Sequence, residues 1–225
     1  MKKTVLVTRP KIMAEKTANL LIQNNYNPII LPLTQTLPLT LPEDPKGFNA
    51  LIITSTAVFM HAPEERKKIW RQYPLYCVGK TTALYADKDG FTVACVEASA
   101  QELTQALKDS QKRFLYLAGH VRRPILSNGL QDKIIKIIDI YDTQKCDIDE
   151  KTLTTLPNYI DVVLFYSALA AQNSGFLCPH FSDKTIAICM AERIAEALPK
   201  TFTGQCIISK KPDEEAVFDV LNALK

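Results

Sequence analysis

Two parts of this chain repeat one another at a constant spacing, and this repeat limits the possible folds more than any other feature. Four pairs of similar positions share a separation of 112 residues: Ser55 with Ser167, Cys77 with Cys189, Ala83 with Ala195, and Glu102 with Glu214. In both copies the pattern runs strand, helix, strand, helix, strand, helix. A looser match relates TVLVTRP to RFLYLAGHVRRP. The spacing predicts duplication of one structural unit, and therefore two domains of the same class.

Apolar runs of strand length alternate with amphipathic segments along the chain. Most of these runs lack strict alternation, which is typical of strands buried on both faces of a parallel sheet. The pattern predicts the α/β class. The runs are TVLVT (4–8), PIILPL (28–33), ALIITS (50–55), YCVG (76–79), TVACV (92–96), RFLYLAG (113–119), KIIDIYDT (136–143), DVVLFYS (161–167), TIAIC (185–189) and GQCIIS (204–209).

Capping residues mark several helix starts. Ser99 with Glu102 has the spacing of a capping box, and Asp147 with Glu150 offers a second start with Asp147 as the cap. Pro212 and the acidic residues after it predict the start of the last helix.

Composition and charge exclude several functional classes. A net charge of +3 without basic runs gives no support for nucleic-acid binding. No apolar run approaches the roughly 20 residues that span a bilayer, and the N-terminus does not resemble a signal peptide. We therefore expect a cytoplasmic protein that has neither nucleic acid nor membrane as a partner.

The cysteines and histidines do not form a recognisable metal or redox motif. None of the six cysteines has a partner at C-x-x-C spacing. Cys77, Cys95 and Cys206 lie in strand-like runs, and we expect buried thiols there. We expect His61 and His180 at the surface, whereas His120 follows a strand and could face a ligand.

Polar residues follow five of the predicted strands. Parallel sheets bind ligands at the carboxyl ends of their strands, where helix N-termini, hydroxyls and arginines can hold anions. Helix capping explains the same Ser and Thr residues equally simply, and Gly79 could serve only a turn. The residues that directly follow each strand, called strand exits below, are Thr8-Arg9, Thr54-Ser55-Thr56, Gly79-Lys80-Thr81-Thr82, Gly119-His120-Val121-Arg122-Arg123 and Tyr166-Ser167.

Several catalytic motifs are missing. The sequence has no phosphate-binding G-x-x-x-x-G-K-[ST], no G-x-G-x-x-G and no G-x-S-x-G nucleophile motif. An enzyme with this sequence would rely on positioning and electrostatics rather than on a covalent nucleophile.

The ordered set of motifs resembles the uroporphyrinogen-III synthase family over nearly the whole chain. The matching segments are VLVTRP, LIITSTAV, VGKTTA, LYLAGHVRRPIL, IYDT, VLFYS and CMAERIAEAL. The resemblance implies two flavodoxin-like parallel-sheet domains joined by a two-stranded linker, with a cleft between them. One domain would combine residues 1–35 and 145–225, and the other would contain residues 36–144.

The resemblance also implies a reaction. Members of the family close hydroxymethylbilane, a linear tetrapyrrole polycarboxylate, into uroporphyrinogen III with loss of water and inversion of ring D. They use neither a metal nor an organic cofactor. Hydroxymethylbilane synthase is the protein partner that the resemblance suggests.

The resemblance also suggests roles for individual residues. Tyr141, in IYDT, matches a tyrosine near the family's cleft and is the candidate for assisting loss of the hydroxyl group. A packing role for this tyrosine is the alternative. The candidates for binding the carboxylate arms are Thr8, Arg9, Ser55, Thr56, Gly79, Thr81, Gly119, Arg123 and Ser167, with Lys80 and Arg122 as weaker candidates.

Two segments depart from the family pattern. Met190-Ala191 replaces the polar strand exit of many members, and Ala168-Leu169-Ala170 lacks their proline-polar version. Both changes weaken an anion site on that domain. The changes leave open an altered affinity or an inactive paralogue. A non-catalytic two-domain module that binds a small anion is the alternative function, because its strand exits would look much the same.

Overall fold

The chain divides into two compact units. The structure is a computed structural model that describes residues 2–224. One unit consists of Met1–Gln35 and Gln144–Lys225, and is called unit 1 below; the other, unit 2, consists of Thr36–Thr143.

Strands and helices alternate along the described chain. The strands are β1 (Thr4–Val7), β2 (Asn27–Ile30), β3 (Thr34–Pro38), β4 (Ala50–Ile53), β5 (Leu75–Val78), β6 (Val93–Glu97), β7 (Phe114–Gly119), β8 (Ile134–Lys145), β9 (Val162–Phe165), β10 (Ile186–Cys189) and β11 (Gln205–Ile208). The helices are α1 (Lys11–Gln23), α2 (Ala57–His61), α3 (Glu64–Trp70), α4 (Lys80–Lys88), α5 (Ala100–Leu107), α6 (Ile125–Gly129), α7 (Glu150–Thr154), α8 (Ala168–Gln172), α9 (Glu192–Ala195) and α10 (Glu214–Ala223), with a 3₁₀ turn at Gly175–His180.

Unit 1 is a parallel sheet in the order β11-β10-β9-β1-β2. Leu6 of β1 belongs to an apolar cluster with Ile194 of α9 on one face. Val5 and Val7 belong to a second cluster with Leu21 of α1 on the other face. Helices therefore cover both faces of this sheet, as the continuous apolar runs predict.

Unit 2 has a sheet in the order β3-β8-β7-β4-β5-β6, and β8, β7, β4, β5 and β6 run parallel. Ile53 of β4 clusters with Ala86 of α4, whereas the adjacent Ile52 clusters with Leu103 of α5. The alternation again places one helical layer on each face. The α/β class with parallel sheets is confirmed.

The repeat in the sequence corresponds to a repeat in topology. The order β6-β5-β4-β7-β8 in unit 2 has the same arrangement as β11-β10-β9-β1-β2 in unit 1. Cys77 pairs with Ile53, and Cys189 pairs with Phe165, so both members of the pair shift by 112 positions. The constant spacing therefore follows equivalent strands in the two sheets.

β3 and β8 form the part of the sheet where the unit boundaries fall. Leu39 N donates to Ile140 O, and Cys146 N donates to Leu33 O, each over 3.0 Å. The numbering rises along one strand as it falls along the other, so these two strands run antiparallel.

The helix caps confirm two predictions and correct one. The Ser99 hydroxyl accepts a hydrogen bond from Glu102 N, and Asp213 caps α10 by accepting from Ala216 N. The prediction for Asp147 is wrong, because the cap of α7 is Asp149, which accepts from Thr152 N over 2.8 Å. Cys146 is still hydrogen-bonded to Leu33, so the chain beside it is extended and cannot yet turn into a helix.

The cysteine prediction is correct only in part. Cys77 is buried, Cys95 is half-buried, and Cys206 is exposed, because β11 lies at the edge of its sheet. All six are free thiols. Across residues 2–224, no helix is both long enough and apolar enough to cross a bilayer.

Candidate active site

The most complete set of predicted site residues lies at one edge of the unit 2 sheet. Ser55 follows β4, Gly79 follows β5, Gly119 ends β7, and Tyr141 lies in the last part of β8. Since these four strands are parallel, their carboxyl ends meet at the same edge. The structure thus brings together, within one unit, side chains that are up to 86 positions apart, as Ser55 and Tyr141 are.

Tyr141 crosses the neighbouring strand at a glycine. The residue is 9% exposed. A Cβ atom added at Gly119 would lie 2.7 Å from Cζ and 2.8 Å from the hydroxyl oxygen of Tyr141. The strand order is β8-β7-β4, and the Ser55 side chain approaches the Tyr141 hydroxyl from beyond β7 closely enough to affect its pKa. The phenol therefore passes over Gly119 towards Ser55.

A bulge in β8 sets the direction of this side chain. Ala118 pairs with Asp139 and Gly119 pairs with Tyr141, so Ile140 is an extra residue. Both Ile140 and Tyr141 consequently belong to the same apolar cluster, although neighbouring strand residues normally face opposite sides. Bulges of this kind re-aim side chains beside functional sites.

Burial keeps the Tyr141 hydroxyl protonated. Desolvation raises its pKa above the ordinary value for a tyrosine, and the nearby Ser55 hydroxyl lowers that pKa by less. Tyr116 raises it further. The Tyr116 hydroxyl itself shares a 3.1 Å hydrogen bond with Thr54 Oγ1, and its own pKa is raised by burial. At neutral pH both phenols are therefore potential proton donors.

His61 lies beside Tyr141, so the expectation of a surface histidine is wrong. Its ring centroid is 5.8 Å from that of Tyr141, and its Nε2 shares a 2.7 Å hydrogen bond with Thr36 Oγ1. The ring is half-buried, and burial lowers its pKa. His180 is half-buried as well, with Nδ1 2.8 Å from Pro157 O. Neither contact is local in sequence, which is why the sequence did not reveal it.

The β5 exit presents backbone and hydroxyl groups. Gly79 has φ +85°, a left-handed conformation that favours glycine, and it precedes α4 without a capping side chain. Thr81 and Lys80 are exposed in the first turn of this helix, whereas the next residue, Thr82, is buried. Thr56 is half-buried at the start of α2.

The β7 exit carries one constrained arginine and one free arginine. Arg122 Nη1 donates to Gly119 O over 2.8 Å and pairs with Asp139, which also contacts His120 Nδ1 at 2.7 Å. Arg122 therefore holds the loop. Arg123 is exposed and makes no ion pair or hydrogen bond with any residue between 2 and 224, so its guanidinium is available to an anion.

Thr8 and Arg9 follow β1 in unit 1, and both side chains bond other residues of that unit. Thr8 is fully buried, and its hydroxyl donates to Leu164 O over 2.7 Å. Arg9 Nη1 lies 2.9 Å from Glu214 Oε1, and its guanidinium carbon stands 4.1 Å from the ring centroid of Tyr166. The Thr17 hydroxyl donates to the same Glu214 oxygen over 2.5 Å. A ligand carboxylate would have to compete with Glu214 for Arg9.

Tyr166 and Ser167 end the other polar exit of unit 1. The Tyr166 hydroxyl is buried beside Arg9 and Thr17 without a well-aligned hydrogen bond, and desolvation raises its pKa strongly. Ser167 caps α8 by accepting a 3.1 Å hydrogen bond from Ala170 N. This contact matches the helix-capping explanation of Ser167.

No group of three or more His, Cys, Asp and Glu side chains able to hold a metal ion occurs within residues 2–224. The neighbourhood of Tyr141 offers hydroxyls, backbone groups and a half-buried imidazole. Such a set can donate protons and hydrogen bonds.

The fold and sequence match one family. The family model described as Uroporphyrinogen-III synthase HemD matches residues 15–219. The chain is similar to the uroporphyrinogen-III synthetase structure from Helicobacter pylori, with 21% identity, full coverage of both chains and a TM-score of 0.71. It is also similar to a mutant uroporphyrinogen III synthase structure from Thermus thermophilus, with 15% identity, coverage of 99% of this chain and 97% of that one, and a TM-score of 0.56.

No curated protein sequence matches this chain. At these identities the two structures establish the fold alone. The family model establishes more, because it spans most of the 225 residues. This chain belongs to the uroporphyrinogen-III synthase family.

Proposed function

We propose that this protein is a uroporphyrinogen-III synthase, which closes hydroxymethylbilane into uroporphyrinogen III with loss of water and inversion of ring D. The observation that carries this proposal is the family match over residues 15–219. The protein is thus a cyclising lyase of tetrapyrrole biosynthesis. It needs to supply a proton to the departing hydroxyl group and to hold the two chain ends during closure.

The finer description of the fold belongs to the same proposal. In chain order, the strands of unit 1 lie in the flavodoxin-like order 2-1-3-4-5. We assign the two units as flavodoxin-like domains and the antiparallel β3–β8 pair as the two-stranded linker.

Tyr141 is the proposed group that assists loss of the hydroxyl. Three features support this role: its hydroxyl is kept protonated by burial, the Ser55 hydroxyl lies near it, and it lies at the carboxyl edge of a parallel sheet. A neutral phenol can donate a proton or a hydrogen bond to the departing oxygen, either directly or through water. The cation left by that step is stabilised by nearby hydroxyl oxygens, which Thr54 and Tyr116 can supply.

Substrate carboxylates are proposed to bind at the exits of unit 2. Arg123 has a free guanidinium, and the first turn of α4 offers Thr81 together with uncapped backbone N–H groups. Ser55, Thr56 and Gly79 lie at the neighbouring exits. Arg9 and Ser167 of unit 1 remain weaker candidates because each already has a partner, and the Thr8 hydroxyl is committed to Leu164.

Other parts of the proposal rest on the family alone. The reaction uses no cofactor, the protein is cytoplasmic, and hydroxymethylbilane synthase supplies the substrate as its partner. Neither nucleic acid nor a membrane takes part.

Product isomers test the proposed reaction. Purified protein is given freshly generated hydroxymethylbilane, and the products are oxidised to uroporphyrins and separated by chromatography. We expect the type III isomer. Formation of the type I isomer alone, as happens without enzyme, would rule out the synthase and favour the non-catalytic anion-binding module.

A further inference from the structure

The side chain of Tyr141 occupies space that almost any other residue at position 119 would fill. An added Cβ on Gly119 would approach Cζ, Cε2 and the hydroxyl oxygen of Tyr141 to between 2.7 and 2.8 Å. Carbon and oxygen atoms in ordinary contact are about 3.5 Å apart or more. The atoms concerned are at the free end of the phenol, so an added methyl group would move the phenol rather than the backbone.

Position 119 is one of two local features that determine where the phenol lies. The other is the bulge at Ile140, which places Tyr141 directly opposite Gly119. The bulge turns the side chain towards β7, and the missing side chain on β7 lets the phenol continue towards Ser55 on the far side. Either feature without the other would leave the hydroxyl elsewhere.

The conformation of Gly119 itself does not require glycine. Gly119 is absent from the glycines with positive φ, which are Gly47, Gly79 and Gly90. An alanine could therefore adopt the backbone angles of residue 119. The contact with the Tyr141 phenol is the feature of this position that specifically needs the absence of a side chain.

We propose that Gly119 is a positioning residue for Tyr141: by lacking a side chain where the phenol crosses β7, it places the Tyr141 hydroxyl against Ser55 for the reaction. This inference rests on the proposed role of Tyr141 in the synthase. It replaces the expectation that Gly119 itself binds the substrate. Because a misplacement of about 1 Å can cost about 100-fold in rate, the consequence should be visible in kcat.

The substitution Gly119→Ala tests the proposal. We expect kcat to fall by about 10- to 100-fold with little change in KM, since the hydroxyl is displaced while the groups that bind the carboxylates remain. In the Tyr141→Phe background, where there is no hydroxyl to misplace, the same substitution should change kcat by less than about 2-fold. Effects that multiply in the double variant would overturn the proposal.

A spectroscopic measurement reports where the Tyr141 phenol lies independently of the reaction rate. The ultraviolet titration of Tyr141 phenolate is obtained by subtracting the titration of Tyr141→Phe from that of the wild type. In the Gly119→Ala variant the pKa should fall towards the ordinary tyrosine value, because the displaced phenol meets more water. An unchanged titration would contradict displacement, whatever the activity.

A matched control and a second variant distinguish displacement of the Tyr141 phenol from a general loss of stability. A Cβ added at Gly129 would collide with Thr104 Cγ2, in the same unit but away from Tyr141. Gly129→Ala should lower stability and leave kcat and the Tyr141 titration unchanged. Ser55→Ala should lower kcat as Gly119→Ala does, also without further effect in Tyr141→Phe, and Ser55→Thr should restore it because it keeps the hydroxyl.

The outcomes distinguish this proposal from the proposed function. If Tyr141→Phe has wild-type kcat while Gly119→Ala shifts the titration, the catalytic role of Tyr141 fails and the positioning stands. If Tyr141→Phe is impaired but Gly119→Ala has wild-type kcat, the positioning fails and the role of Tyr141 stands.

Discussion

Tyr141 combines burial with a nearby hydroxyl on Ser55, and this combination suits a proton donor. Desolvation holds its pKa above the ordinary value of about 10, so the neutral form persists through the whole neutral range. A buried tyrosine that only packs also finds a partner for its hydroxyl, as Tyr26 does in Leu221 O. The packing explanation and the catalytic one therefore differ in what removal of one oxygen atom does.

Tyr141→Phe is expected to lower kcat by about 100-fold with little change in KM, because general acid assistance contributes about 100-fold or more. Steady-state kinetics with hydroxymethylbilane measures this. The matched control is Tyr26→Phe in unit 1, where the hydroxyl donates to Leu221 O over 2.6 Å. That variant should lose about 1 kcal/mol of stability and keep wild-type kcat. Equal kcat values for the two variants would assign Tyr141 to packing.

His61 gives the stability of the protein a pH dependence. Burial lowers its folded-state pKa, so between the unfolded value of about 6.5 and the lower folded value the unfolded chain binds more protons. Stability is therefore retained above about pH 6.5 and lost as the pH falls through the folded pKa. The cause is desolvation of the charged ring, since the Thr36 hydroxyl can accept from Nε2–H as well as donate to Nε2.

Replacing His61 with Gln removes the titrating ring and retains an amide that can hydrogen bond with Thr36. We expect the variant to be less stable than the wild type near pH 7.5, and the difference to shrink as the pH is lowered towards 5. Denaturant unfolding at a series of pH values measures it. A difference that stays constant across that range would mean that His61 keeps its ordinary pKa in the folded protein.

At the scale of elements, the β1 exit is tied to the start of α10. Arg9 and Thr17 both bond the Glu214 carboxylate, and the ion pair is mostly shielded, with side-chain exposures of 17% for Arg9 and 31% for Glu214. Two elements from opposite ends of the sequence thus meet through one carboxylate. This arrangement gives Arg9 a structural role that competes with substrate binding.

A double-mutant cycle on Arg9→Gln and Glu214→Gln distinguishes the two roles. If the pair is structural, each single variant should lose about 1–2 kcal/mol of stability, and a coupling energy of about 1 kcal/mol should appear in the double variant. KM for hydroxymethylbilane should change little. A rise in KM for Arg9→Gln without loss of stability would instead assign Arg9 to the substrate.

Elements were more predictable from the sequence than the contacts between them. The apolar runs located the strands β4, β7 and β9 because burial on both faces leaves a local pattern. Ser99 was found for the same reason, since a cap and its partner are three residues apart. The misplaced cap at Asp147 shows the limit, because pairing between β3 and β8 decides where the chain can turn.

For the site residues, the sequence predicted positions along the strands but not the side-chain contacts between distant segments. The sequence placed Ser55 and Gly119 at predicted strand exits, and the family resemblance pointed to Tyr141 inside a predicted strand; the parallel sheet brings all three to one edge. The sequence did not indicate that Glu214 forms an ion pair with Arg9 or that the His61 ring packs beside Tyr141. Both contacts depend on tertiary packing. The hydroxyl of Tyr116 was missed as well, since its position inside a strand reads as core.

At the scale of the whole molecule, one topology is used twice with different polar residues. Unit 2 carries the hydroxyl cluster around Tyr141, whereas the corresponding strand exits of unit 1 hold the Arg9–Glu214 pair and the apolar residues Met190 and Ala191. Duplication fixes the scaffold but leaves each set of strand exits free to diverge. The proposed chemistry is accordingly assigned to unit 2.

The isomer composition of the product, measured over a dilution series of the enzyme, tests the central claim most directly. Hydroxymethylbilane closes spontaneously to the type I isomer, so the enzyme competes with a constant background. The account predicts that the fraction of type III product rises with enzyme concentration and falls back at matched concentrations of Tyr141→Phe. A type I product at every enzyme concentration would contradict it.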